Sequence, residues 1–177
     1  CCLKHFALNN QEVGRFEVNV NVSERALYEI YLAPFKKCVD ESGVWTIMGS
    51  YPFFNNVHCC QNDSLLNKIL KHQWGFDGAV VSDWGGVTDT WEAALGGMDI
   101  EMGTYTDGKT EDQSMGYHTY HLANKFERLI EEGKIPMSVL DDKASRVLRT
   151  IFRTSMNPNK AVGSLCSEAH YDACLKI

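Results

Sequence analysis

The stretch Gly78-Ala79-Val80-Val81-Ser82-Asp83-Trp84-Gly85-Gly86 constrains this chain more than any other. Three small or β-branched apolar residues in a row leave no polar face. They suit a strand covered on both sides, as in a parallel sheet. Such a strand does not bury an unpaired carboxylate in its own core, so Asp83 has to emerge at the carboxyl end. That is the edge at which parallel α/β folds gather their chemistry. The stretch therefore asks what a carboxylate and an indole do together at the mouth of a sheet.

Other segments share its character. Val44-Trp45-Thr46-Ile47-Met48 follows a Ser42-Gly43 turn, Leu3 to Phe6 reads as another strand, and Met98-Asp99-Ile100-Glu101-Met102 is a weaker fourth. Strict alternation from Phe16 to Val22 predicts an exposed strand or ribbon. Ser23 is placed to cap a helix through about Val39, carrying Leu27, Ile30, Tyr31 and Phe35, with Pro34 kinking or splitting it. Asn62 or Asp63 caps the next, where Leu65, Leu66, Ile69, Leu70 and Trp74 share one side before Gly75. Short helices are predicted over Thr90 to Leu95 and Asn124 to Glu132. A longer one spans Ser138 to Arg153, with a stripe of Leu140, Ala144, Val147, Leu148 and Ile151.

Strand and helix in alternation with short connections imply an α/β fold with about four parallel strands. Part of a (β/α)8 barrel or of a doubly wound sheet both fit, a whole barrel taking roughly 250 residues. In either case Lys4-His5, Met48 to Tyr51, Ser82-Asp83-Trp84 and Glu101 fall at successive strand ends and converge on one rim.

Composition excludes several classes. With 177 residues, 44% of them hydrophobic, the chain can build a core. Its net charge of −6 leaves no basic stripe for nucleic acid, and no apolar run approaches the ~20 residues of a membrane helix. Cys1, Cys2, Cys38, Cys59, Cys60, Cys166 and Cys174 form no disulfide framework. The crowded His58-Cys59-Cys60 is a poor metal site, since ligands are usually two to four residues apart. The opening Cys1-Cys2-Leu3-Lys4-His5 shows no signal-peptide pattern, and the compartment is not readable.

A carboxylate at a strand mouth beside Lys and His can act as nucleophile, general base or metal ligand, or it can simply cap the following helix. A carboxylate nucleophile that forms a sugar ester is a standard solution to glycoside cleavage, and a neighbouring Trp offers a flat face to a sugar ring. Trp84 can equally be a rim residue packed on its neighbours.

Several motifs narrow the choice. Lys4-His5-Phe6-Ala7-Leu8-Asn9-Asn10-Gln11-Glu12 with Arg15 resembles the K-H-F-x-x-N-x-Q-E segment of family 3 glycoside hydrolases, in their β-glucosidase branch. Ser23 to Leu32 is similar to that family's E-R-x-L-x-E-I-Y-L helix, and Trp45 to Tyr51 to its V-M-x-S-Y strand end. Trp74-Gly75-Phe76-Asp77-Gly78 through Ser82-Asp83-Trp84-Gly85 resembles its nucleophile motif, and Met98 to Met102 continues the match in order and spacing. The resemblance runs over roughly residues 3 to 155.

It implies a partial (β/α)8 barrel and a retaining mechanism on β-linked glucosides or cello-oligosaccharides, with Asp83 as nucleophile. Lys4 and His5 would hold hydroxyls of the terminal glucose, Met48 would line the site, Tyr51 would hydrogen-bond near the nucleophile and Trp84 would pack on the sugar. Asn9 to Glu12 and Arg15 would order the loop below the site. No cofactor or metal is implied, and a secreted or periplasmic location fits the family. Pro52-Phe53-Phe54 departs from the Asn that usually follows the Ser-Tyr pair, which bears on the leaving-group side.

Family members also begin their barrel before the Lys-His motif and carry the acid/base Glu on a second α/β domain. No residue of this sequence matches that acid, Glu101 and Glu111 having only their type to recommend them. Residues 1–155 are thus expected to be the C-terminal half of the barrel, and 156–177 a linker and the start of a helix leading to that domain. The alternatives are a β-xylosidase or other family 3 exo-glycosidase, or an incomplete barrel that at most binds sugar. Open sheet edges would favour self-association.

Overall fold

The computed structural model describes residues 1–102, 120–160 and 163–176. Strands β1 (Cys2–Phe6), β3 (Thr46–Gly49) and β6 (Ala79–Val81) form one parallel sheet in the order β1-β3-β6. Register runs from Cys2 on Thr46 and from Thr46 on Ala79, so all three carboxyl ends reach the same side. The expected fourth strand is reduced to one parallel bridge, Val81 to Ile100. Backbone bonds from Asp99 and Ile100 N–H to Val80 O and from Ser82 N–H to Ile100 O hold that segment beside β6, and Asp99 Oδ2 accepts the Val80 N–H at 2.7 Å.

A second small sheet sits beyond β3. It joins β2 (Asn19–Val20), β4 (Phe53–Phe54) and β5 (Val57–His58) in the order β2-β4-β5. The alternating segment from Phe16 to Val22 therefore contributes two paired residues, fewer than its pattern predicts. Phe16 and Glu17 lie in a turn, closed by Glu17 and Val18 N–H groups donating to the Gly14 carbonyl.

Ser23 does cap a helix, accepting the Ala26 N–H. Helix α1 (Glu24–Ala26) runs into wide π-type turns over Leu27–Tyr31, and α2 (Ala33–Ser42) starts anew with Pro34 in its first turn. Proline lacks the N–H an unbroken helix needs, so the split falls where the sequence places it. Asn62 caps the next helical segment, Ser64–Gln73, through Leu65 N–H to Asn62 Oδ1 at 3.1 Å. Its Leu65, Leu66 and Leu70 pack with Phe6, Ile47 and Val80 on one side of the main sheet. Ile30, expected on the inner stripe, is exposed.

Helix α3 (Thr90–Gly96) is capped by Asp89, α4 (Phe126–Glu131) follows a π-type turn over His121–Lys125, and α6 (Glu168–Leu175) closes the described chain. Helix α5 (Met137–Arg153) inverts the expectation. Leu140 and Leu148 of its apolar stripe are exposed, as are Met137 and Phe152. The side facing the sheet is cationic. Arg146 donates to the Phe76 and Gly78 carbonyls, Arg153 forks onto the Asp77 carboxylate at 2.8 and 2.6 Å, and Lys143 donates to Met98 O at 2.6 Å. Long basic side chains reach backbone acceptors that an apolar residue would leave unpaired, and that decides which face turns inward.

Lys143 joins a buried charge cluster. Lys71 Nζ lies 2.7 Å from Asp99 Oδ1, and Asp142 and Arg146 close its outer side. Burial lowers the Lys143 ammonium to about 8, with Lys71 adding to the effect and Asp99 opposing it. An unfolded lysine keeps its proton to about 10.5. Between about 8 and 10.5 the unfolded chain holds a proton the native chain has lost, so this group makes stability rise with pH across that window and withdraws it as pH falls through 8. Lys143→Met should flatten that rise relative to wild type. Urea unfolding at pH 7.5 and pH 9 checks this, and equal pH slopes in the two proteins would contradict it.

Candidate active site

The strand ends bring His5, Tyr51, Asp83 and Trp84 together. Asp83 follows β6 and is 9% exposed, open to solvent only at the mouth. Its Oδ1 accepts the Trp84 N–H at 2.8 Å, which orients the carboxylate along its own turn. Its Oδ2 lies 3.3 Å from His5 Nε2 on β1, across the end of the central strand. One oxygen is thus held by the backbone and the other by an imidazole. Gly85, at φ +70°, makes the sharp turn that returns the chain so that Gly86 N–H closes on the Asp83 carbonyl at 2.9 Å.

Tyr51 sits between β1 and β6, buried, its hydroxyl donating to Trp84 O at 2.9 Å. Burial raises its phenol to about 12, helped by a hydrogen bond with Asp83 and by the Asp83 charge, while Arg15 opposes the shift. The phenol is therefore a neutral donor at any working pH, beside an acceptor carboxylate. Arg15 lies over the Tyr51 ring at 4.7 Å and over Phe16 at 4.9 Å, and is tied to Glu12 at 2.7 Å. Asn9 joins Glu12 through Nδ2. These contacts make the segment after β1 a brace for Tyr51.

The other expected residues take different positions. Lys4 is exposed on the edge strand β1. Met48 is 7% exposed on the central strand, paired with Val81. The Trp84 indole is 54% exposed and free to take a partner on its face. Glu101 accepts the Leu122 N–H at 2.7 Å and serves the start of a helical turn, while burial raises its carboxyl pKa. Glu111 lies outside the described residues. Pro52-Phe53-Phe54 leads into the small sheet, where Phe53 stacks on His58 at 3.6 Å and His58 Nδ1 meets Tyr51 O at 2.8 Å.

Three supporting residues have no role assigned to them in the sequence reading. Ser50, fully buried, donates to Ala7 O and joins the ends of β1 and β3. Gln61 is buried against the Thr88–Asp89 backbone, and Cys60 lies under Asp83. Among the described residues no group of His, Cys, Asp and Glu has the arrangement of a metal site, and no helix is long and apolar enough to cross a membrane.

A carboxylate thus stands at the carboxyl edge of a parallel sheet with a histidine, a neutral phenol and an exposed indole around it. Comparisons with known proteins give the family. Residues 1–150 match the glycosyl hydrolase family 3 N terminal domain, and the chain belongs to that family. It is 51% identical over 99% of its length to the beta-glucosidase BoGH3A of Bacteroides ovatus, of which it covers 24%. It is 48% identical over 106 residues, 59% of this chain and 14% of that protein, to an exo-alpha-(1->6)-L-arabinopyranosidase of Bifidobacterium longum. Beta-glucosidase 3B of Thermotoga neapolitana, solved with glycerol, superposes with a TM-score of 0.81 at 32% identity, over 99% of this chain and 24% of that one. The chain thus spans about a quarter of the length of these glucosidases, and their barrel fold accommodates its sheet and helices.

Proposed function

We propose that the chain carries the nucleophile half of a retaining β-glucosidase site. The observation that carries this reading is the Asp83 carboxylate, fixed by Trp84 N–H on one oxygen and facing His5 Nε2 with the other, at the mouth of the sheet. In the reaction, an Asp83 oxygen attacks the anomeric carbon and the bond from that carbon to the leaving-group oxygen breaks. The leaving group departs with the electron pair, and a glucosyl ester on Asp83 remains. Water then attacks the same carbon from the opposite face, restoring the carboxylate and releasing glucose with its original β configuration.

Lys4 and His5 would hold ring hydroxyls, Met48 would line the floor, the Tyr51 hydroxyl would hydrogen-bond near the nucleophile, fixing its turn through Trp84 O, and Trp84 would cover the sugar face. The relatives named beta-glucosidases support glucose as the sugar. The arabinopyranosidase relative favours a second reading, an exo-glycosidase of a pentopyranose. No carboxyl of this chain is assigned as the acid, so leaving groups stable as anions should react and ordinary alcohols should not. The 177 residues by themselves are expected to release dinitrophenolate from the β-D-glucoside faster than from the β-D-xyloside or α-L-arabinopyranoside. Faster release from a pentopyranoside would shift the assignment to the second reading, and no release from any would count against both.

A further inference from the structure

The segment Cys59–Gln61 is a single short helical turn, fully or almost fully buried, which the sequence offers only as a crowded pair of thiols and an amide. Its two thiols lie against three strand ends, and its amide reaches the loop beyond the third. Cys59 is fully buried beside the Ser50 side chain and the Ala7 backbone, which follow β3 and β1. Cys60 lies beside the Asp83 backbone, after β6. Its sulfur fills a space left by two glycines, for a Cβ added to either Gly49 or Gly86 would stand 2.8 Å from Sγ. Nothing larger than hydrogen fits on either side of that thiol.

Gln61 holds the other end of the nucleophile loop. Its Oε1 accepts Thr88 N–H at 3.0 Å and Asp89 N–H at 3.3 Å, while Nε2 donates to Thr88 Oγ1 at 3.2 Å and to the Glu92 carboxylate. These four bonds use the whole capacity of a primary amide, so neither a shorter nor a charged side chain reproduces them. Its carbonyl also meets helix α3 so closely that a Cβ on Gly96 would stand 2.1 Å from it. Asp89 caps that helix, so the far end of the loop cannot drift while Gln61 is in place.

We propose that the Cys59–Gln61 turn is a positioning element for the chemistry assigned to Asp83. It sets the spacing of the strand ends that carry His5, Tyr51 and Asp83, with Gln61 as its principal clamp. The inference rests on the reading of Asp83 as nucleophile. None of the three side chains touches sugar in this account; they act through the loop that holds the carboxylate. A displacement of about 1 Å in a reacting group can cost about a hundredfold in rate.

The test compares Gln61→Ala with Ile135→Ala, which opens a comparable hole in the separate cluster of Ala94, Phe126 and Ile135. Both should lower Tm. Gln61→Ala should also lower kcat on dinitrophenyl β-glucoside by about thirtyfold or more with KM changed less than threefold, while Ile135→Ala keeps kcat within about twofold. Gln61→Glu puts a second carboxylate against Glu92 and should lose kcat too. Gln61→Glu combined with Glu92→Gln restores a donor and acceptor pair and should recover most of it.

Gln61→Ala retaining kcat, or Ile135→Ala losing as much, would overturn the positioning role and leave Asp83 standing. A wild-type protein with no turnover at all would overturn the nucleophile assignment and this role together. Hydrogen exchange then reports on the grip itself, as Thr88 and Asp89 amides should exchange faster in Gln61→Ala.

Discussion

Asp83→Ala should abolish turnover of dinitrophenyl β-glucoside, a fall in kcat of about 10³-fold or more, while the fold persists. In the proposed reaction this carboxylate forms the bond to carbon, and Trp84 N–H and His5 Nε2 lie against its two oxygens. Removing it leaves His5 and Tyr51 without their anionic partner, but Tyr51 keeps its bond to Trp84 O and the turn keeps Gly86 N–H on residue 83's carbonyl. Stability should change by less than about 1 kcal/mol, because a partly open carboxylate at a mouth is not a core group. Azide supplied in solution should partly restore consumption of the activated substrate by attacking the same carbon from the vacated side, giving the α-glucosyl azide. Full activity in Asp83→Ala would remove Asp83 from the chemistry.

The largest effect on stability is expected elsewhere, at Asp99. Its carboxylate is fully buried, with Lys71 Nζ at 2.7 Å on one oxygen and Val80 N–H at 2.7 Å on the other. Asp99→Ala strips the counter-charge from Lys71 and Lys143 and orphans a strand amide, so it should cost about 3–5 kcal/mol. In a chain of this size that is a drop in Tm of about 10 °C. The burial of the pair, and not the pair as such, sets the size of the loss. Lys71→Met combined with Asp99→Leu should therefore recover much of the stability. Urea unfolding of the single and double variants decides it, and a loss below about 1 kcal/mol in Asp99→Ala would mean the cluster is better hydrated than its burial implies.

These sites show how far the sequence carries. His5, Tyr51, Asp83 and Trp84 are legible as a rim because they stand at or just past the carboxyl ends of three strand segments, and a parallel sheet sends all such ends to one side. Ser23 and Pro34 mark a helix start and a break because both act on backbone groups within a few residues of themselves. Asp99 and Lys71 were not legible in that way. They sit 28 residues apart, and each looks like the polar position of its own element. The inward face of α5 was misread for the same reason, since Arg146 and Arg153 are polar by pattern yet bind carbonyls and a carboxylate some seventy residues away. Gln61 reads as a turn residue, and only the folded chain brings Thr88, Asp89 and Glu92 to its amide. Pairings across the fold, unlike periodicity within an element, leave little trace in one sequence.

Covalent trapping tests Asp83 as the nucleophile most directly. The protein would be incubated with a 2-deoxy-2-fluoro-β-D-glucoside carrying dinitrophenolate, which allows the ester to form and slows its hydrolysis, then digested and mapped by mass spectrometry. One equivalent of fluoroglucosyl on the peptide containing Asp83, absent from Asp83→Ala, is the predicted result. A label on another carboxylate, or none on a chain shown to be folded, would contradict Asp83 as the nucleophile.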